Sequence, residues 1–208
     1  MAEALYRTHP LEQWKPALAA LSAEQTTPHA VRLTIEPEAE IAAADLRIDP
    51  TGPGAALVAR ELGAALPTRP NTWARTDDGQ IIWLGPDEWL VTSAAAQPHE
   101  LEARLIGIAS PSGGAAVDVS AQRTSLRVRG SLARELLSLG CSLDLYPQVF
   151  PAGSCAQTTL GLAGVLLVGL GDGDDFRLFV RPSFAGYLAD WLLDAAQEFR
   201  PEPAAPTA

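Results

Sequence analysis

The chain has 208 residues, of which 47% are hydrophobic and 19% charged, the composition of a globular protein with one domain or two small halves sharing a core. Fifteen Lys+Arg against 25 Asp+Glu give a formal net charge of -10, which argues against nucleic acid and anionic lipid as main partners, since both attract basic patches. Two cysteines, Cys141 and Cys155, allow at most one bridge and rule out a disulfide scaffold.

In chain order, Met1 to Arg7 lacks the basic head and apolar run of a secretory signal. Residues 1–30 read as an N-terminal extension, a tail in which Pro10, Pro16 and Pro28 break any long helix. A module over 31–200 follows, and 201–208 reads as a disordered tail. A strand is predicted around Leu46-Arg47-Ile48, then a helix from about Gly54 to Ala65 with Leu57, Val58, Leu62, Ala65 and Leu66 on one face. Ile81 to Leu84 and Trp89 to Thr92 form a hairpin over Gly85-Pro86-Asp87-Glu88, where Pro and Asp suit a type I turn. Pro98 opens a helix carrying Leu101, Leu105 and Ile108, with Glu100 four residues before Arg104 as a supporting pair.

The same parts then recur. Leu126-Arg127-Val128 is a strand, and Ser131 is positioned to cap a helix with Leu132, Leu136 and Leu139 inward and Gly140 as its stop. Val165 to Leu170 and Phe176 to Val180 form a second hairpin, and Ser183 precedes a helix with Phe184, Leu188, Trp191 and Leu192 inward. Ala59-Arg60-Glu61-Leu62 returns as Ala133-Arg134-Glu135-Leu136 at an offset of 74, and the last helices align at 87. The reading is α+β, with two ferredoxin-like strand–helix–hairpin–helix repeats at about 45–110 and 116–198. The later copy carries an insertion between Gly140 and Val165. The longest apolar run, Leu160 to Leu170, holds three glycines and is far short of the ~20 residues that span a bilayer. A cytoplasmic location without membrane is expected.

Sites of chemistry are sparse. His9, His29 and His99 stand apart from one another and from other ligands, so no zinc site is expected. A single lysine, Lys15, leaves no phosphate loop ending in Gly-Lys-Ser or Gly-Lys-Thr, and no Gly-x-Ser-x-Gly elbow occurs. Gly169 to Gly173 precedes a strand rather than a helix, so it reads as a hairpin turn and not a dinucleotide loop. Asp77-Asp78-Gly79 is a turn signal. Trp73, Trp83 and Trp89 crowd one stretch of an acidic chain, which suits either core packing or a contact surface.

The run Ile82 to Val91, the segment Leu66 to Thr72, and Val117-Asp118-Val119-Ser120-Ala121-Gln122-Arg123-Thr124 resemble the gamma subunit of heterotetrameric sarcosine oxidase. Gly140 to Leu145 followed by Phe150 to Thr158 extends the resemblance, which runs from about residue 30 to 195. That family is in turn similar to the folate-binding module of the glycine-cleavage T-protein. The resemblance implies a T-protein-like fold and a non-catalytic gamma subunit without cofactor or metal of its own. It implies a complex that oxidatively demethylates sarcosine to glycine with oxygen, giving hydrogen peroxide and 5,10-methylenetetrahydrofolate. FAD, FMN, NAD, zinc and tetrahydrofolate would belong to the alpha, beta and delta partners, with the large alpha subunit as the main contact. T-proteins carry acidic residues just before the matching hairpin, whereas Gly79-Gln80-Ile81-Ile82 supplies none. The expected partner interface is the Trp83–Trp89 hairpin with the inserted loop, through Trp83, Trp89, Tyr146 and Phe150. Two other readings stay open: a stand-alone tetrahydrofolate-binding or aminomethyltransferase-like protein, and a chaperone-like relative that needs a reactive cysteine.

Overall fold

Two antiparallel five-stranded sheets carry the architecture of this computed structural model, which describes residues 8–27, 30–171 and 174–200. Ahead of them lie a short helix α1 (Lys15–Glu24) and a two-stranded ribbon of β1 (Thr26–Thr27) and β2 (Ala30–Val31). The first sheet has the order β5-β6-β7-β4-β8, from β4 (Ala42–Arg47), β5 (Trp73–Arg75), β6 (Gly79–Gly85), β7 (Glu88–Ser93) and β8 (Ala115–Asp118). Helices α2 (Pro53–Leu62) and α3 (Pro98–Ala109) cover one face. The second sheet has the order β10-β11-β12-β9-β3, from β3 (Thr34–Pro37), β9 (Thr124–Arg129), β10 (Cys155–Leu160), β11 (Ala163–Gly169) and β12 (Asp175–Val180). It is covered by α1, α4 (Ala133–Ser138) and α5 (Pro182–Ala195).

The period-2 alternation of the strands builds four layers. In β4, Ala42, Ala44 and Leu46 face α2 and α3, while Ala43 faces the other sheet. In β7, Trp89 and Val91 face the helices and Leu90 faces inward. Leu90, Ile82 and Ala43 meet Cys155, Leu166, Val168 and Phe179 between the sheets. Each fully buried Leu, Ile, Val or Phe contributes ~1.5–3 kcal/mol relative to exposure, so three cores hold the layers together. The sheets also join at their edges. Thr72 and Ser154 form an isolated bridge, the Trp73 N–H donates to the Gly153 carbonyl at 3.1 Å, and the Cys155 N–H donates to the Asn71 carbonyl at 2.9 Å.

In both halves a strand, a helix, a three-stranded antiparallel meander and a helix follow one another, one strand more than the expected hairpin. Each half places its first strand beside the last strand of its meander. They differ in the strand that completes the sheet. β8 follows α3 and pairs with β4, so it belongs to the first sheet although it lies at the expected start of the second repeat. In the second half that position is filled by β3, which comes from ahead of the first half and pairs with β9.

Several expectations need correction. The described part of the N-terminal extension is not a tail: Leu11, Leu18 and Leu21 lie in the second core. Pro16 occupies the first turn of α1, where a missing N–H costs no helical hydrogen bond. Residues 1–7 and 201–208 lie outside the described residues. α2 stops at Leu62 because Gly63 takes a left-handed conformation, φ 71°, and Leu57 is left outside the core. Glu100 does not pair with Arg104; it closes a capping box by accepting from the Gln97 N–H at 3.0 Å, and Arg104 pairs with Glu61 of α2 at 2.7 Å. α4 is six residues long with Leu132 as its N-cap, so Ser131 does not cap it; Leu136 and Leu137 are buried and Leu139 faces out. Gly140 is needed for packing, since a Cβ there would stand 2.4 Å from the Trp191 ring. In α5, Ala185, Leu188, Ala189 and Leu192 face the core, with Phe184 outside. The turn after β11 is pinned by its acids, as Asp174 pairs with Arg134 and Asp175 with Arg127; Asp172 and Gly173 lie outside the described residues.

Candidate interaction surface

Register decides where the two hairpin tryptophans point. Trp83 and Trp89 stand directly opposite each other across β6 and β7. Trp89 projects to the face of the sheet that α2 and α3 cover. Trp89 is accordingly 0% exposed, and its indole N–H donates to the Pro67 carbonyl at 2.8 Å. Trp83 is half-buried between two cores. Phe150 is 6% exposed and packs beside Phe176 with ring centroids 6.4 Å apart. Of the four residues expected at an interface, Trp89 and Phe150 are therefore core residues. Trp83 is partly covered, and Tyr146, 60% exposed, is on the surface.

Exposed apolar residues occur at several places, Val31, Leu57, Ile106 and Val117 among them, and a larger group lies on the second half. Leu139, Leu143, Tyr146 and Val149 line the connection from α4 to β10; Leu162 tips the β10–β11 turn at 80% exposed; Phe184 and Tyr187 stand on α5. The local chemistry that holds this face is specific. Gly161 turns with φ 56°, and the Leu162 N–H donates to the Tyr187 hydroxyl at 3.0 Å. Arg134 clamps the inserted loop: it donates to the Leu145 and Phe150 carbonyls, pairs with Asp174 at 2.7 Å, and lies 4.9 Å from the Phe176 ring centroid. Behind the loop a cavity of about 520 Å3 is walled by Leu143, Val149, Arg69 and Asn71. Its Asn71 is left-handed at φ 59°, a conformation that Asn tolerates. Most of this face was missed in the sequence. An apolar residue beside a glycine at a tight turn, Gly161-Leu162, is the signal that could have found it.

Cys155 and Gln80 are engaged within the fold. Burial pushes the Cys155 thiol up to about 12, and its Sγ lies 3.4 Å from the Thr72 carbonyl oxygen, so the thiolate that would react is suppressed. Gln80, at the position before the first hairpin, is buried and accepts from Arg177, which is held in turn by both oxygens of Glu38 at 2.5 and 2.7 Å. This arrangement ties the two sheets together, and the cavity of about 560 Å3 beside Gln80 has Asp77, Asp78, Asp175, Arg127 and Arg177 on its walls. Among the described residues no group of three or more His, Cys, Asp or Glu could hold a metal ion, and no helix is long and apolar enough to cross a membrane.

Two ferredoxin-like halves packed sheet to sheet define an α+β module, with exposed apolar residues on the second half. Residues 47–198 match the family model described as sarcosine oxidase, gamma subunit family. The chain is 34% identical over 161 residues to the sarcosine oxidase subunit gamma of Corynebacterium sp. strain P-1, covering 77% of this chain and 78% of that one. It is 33% identical over 155 residues to the subunit gamma of an Arthrobacter species, covering 74% and 75%. The chain belongs to the sarcosine oxidase gamma subunit family. Its fold matches a chain of the heterotetrameric sarcosine oxidase from Corynebacterium sp. U-96 in complex with pyrrole 2-carboxylate, with TM-score 0.82, 28% identity, and 96% and 99% of the two chains covered. The glycine cleavage system aminomethyltransferase T from Bartonella henselae shares the fold, with TM-score 0.59 and 13% identity over 85% of this chain and 48% of that one.

Proposed function

We propose that the chain is the non-catalytic gamma subunit of a heterotetrameric sarcosine oxidase. In this reading it packs on the large alpha subunit in the cytoplasm through the face around Leu139, Tyr146, Leu162 and Tyr187. The observation that carries the reading is the match over 96% of this chain and 99% of a chain from a heterotetrameric sarcosine oxidase, to which an exposed apolar face on the second half adds a place to dock. The complex would convert sarcosine to glycine with oxygen, producing hydrogen peroxide and 5,10-methylenetetrahydrofolate. FAD, FMN, NAD, zinc and tetrahydrofolate would be held by the alpha, beta and delta subunits. The chain's own part is assembly: its Cys155 thiol is buried and its Gln80 is spent on Arg177.

A tagged pull-down from native cells tests this, with the mass of every co-purifying chain and a visible absorption spectrum. The expected result is a yellow complex with one large and one medium flavoprotein subunit. A colourless monomer that binds tetrahydrofolate in a calorimetric titration would replace the reading with the stand-alone folate binder.

A further inference from the structure

Beside the start of α5, the second sheet carries a cavity of about 590 Å3. Leu84 and Leu166 give it an apolar lining, Gln157 and Phe184 stand along it, and Arg123 and Arg181 supply its charge. Seven arginines pair with a carboxylate; Arg123 and Arg181, like Arg32, Arg60, Arg69 and Arg75, have no ion pair among the described residues. The Nε of Arg123 is buried with no hydrogen-bond partner. Burial weighs most on its charged form, the attraction of Asp45 opposes this, and the repulsion of Arg181 and the attraction of Glu88 are smaller. An unpaired buried guanidinium N–H costs ~1–3 kcal/mol or more.

We propose that Arg123 and Arg181 form a socket for a carboxylate side chain of the partner subunit. The inference rests on the reading of this chain as a subunit of a larger complex. A carboxylate is the acceptor that matches guanidinium geometry and relieves the repulsion between the two cations. The N-terminal end of α5 adds a favourable dipole. The rim supplies the rest of an interface anchor. Phe184 lines the cavity, Tyr187 lies one turn further along α5, and Leu162 is bound to the Tyr187 hydroxyl. Apolar contacts that exclude water around a charged pair are the setting in which such a pair contributes most to binding.

The single lysine of the chain makes a direct test possible. In the complex carrying Arg181→Lys, Lys15 is the only other side-chain amine of this subunit. A carbodiimide that joins amines to carboxylates at zero length then couples position 181 to an Asp or Glu of the partner, identified by peptide mass. A complex that forms while position 181 stays unmodified, or couples only within its own chain, overturns the socket and leaves the subunit reading standing. Failure of the unmodified chain to form any complex overturns the subunit reading itself. A second measurement does not depend on coupling. Arg181→Gln, at an exposed position outside the cores, weakens retention in the complex by about 30-fold or more; retention within about threefold of the unmodified chain refutes the socket.

Discussion

Replacing Trp89 by alanine separates the core role of this residue from a role in contact with a partner. The side chain is 0% exposed and lies in the helix-facing core with Leu46, Val91, Leu101 and Leu105. Truncating a buried tryptophan costs ~3–5 kcal/mol. Loss of the 2.8 Å hydrogen bond to the Pro67 carbonyl adds ~1 kcal/mol. The sum approaches the whole stability of a marginal domain, typically ~5–15 kcal/mol. With a urea dependence of ~3 kcal/mol/M, the unfolding midpoint of the isolated chain falls by roughly 1.5 M. Equilibrium urea unfolding followed by far-ultraviolet circular dichroism measures it, with Tyr146→Ala as the surface comparison, for which less than ~0.5 kcal/mol is expected. An unchanged midpoint for Trp89→Ala, together with loss of the partner subunits, would refute the assignment of Trp89 to the core.

Phe150→Ala destabilises the chain by ~3–5 kcal/mol, because the ring is buried beside Phe176 and its own carbonyl is held by Arg134; a urea midpoint like that of the unmodified chain contradicts this. Cys155 resists alkylation in the native state at pH 8, since its thiol is pushed up to about 12; rapid labelling there while the fold persists would sink the assignment and restore the reading that needs a reactive cysteine. The same shift predicts a pH dependence of stability. A thiol raised in the folded state stabilises fully below its unfolded value, near 9, and that contribution is lost as pH rises toward 12. Thermal unfolding should therefore move to lower temperature above pH 9, and Cys155→Ala should lessen this dependence; an equal pH dependence in both proteins is the contrary result.

Local signals carried the fold a long way. Pro86-Asp87 between two apolar runs marks the hairpin that β6 and β7 form, and Pro98 marks the start of α3. What escaped depends on partners distant in sequence. Glu100 chooses the cap at Gln97 over Arg104, which Glu61 of another helix takes instead. The N-terminal segment reads as a tail because its prolines are conspicuous, yet Ser22 of α1 accepts from the Ile35 N–H at 3.1 Å and ties the helix to β3. Nor does anything local say that β3 completes the sheet of the second half.

The candidate site was less legible for the same reason. Tryptophan count suits a core as well as a surface, and the face of β7 that carries Trp89 lies under α2 and α3, which buries it. Helix periodicity put Leu139 inward, but α4 ends at Ser138 and leaves that side chain 54% exposed. The inserted loop is legible as an insertion, and of Tyr146 and Phe150 only Tyr146 reaches solvent. Which one depends on Arg134, whose donation to the Phe150 carbonyl holds that end of the loop against the core.

Hydrogen–deuterium exchange of the chain, alone and in the purified complex, tests the central claim most directly. The account predicts slowed exchange on assembly across 139–149, 160–163 and 181–187, with 53–62 and 98–109 on the opposite helical layer unchanged. Protection confined to those two helices, with the second-half face exchanging as in the free chain, would contradict it.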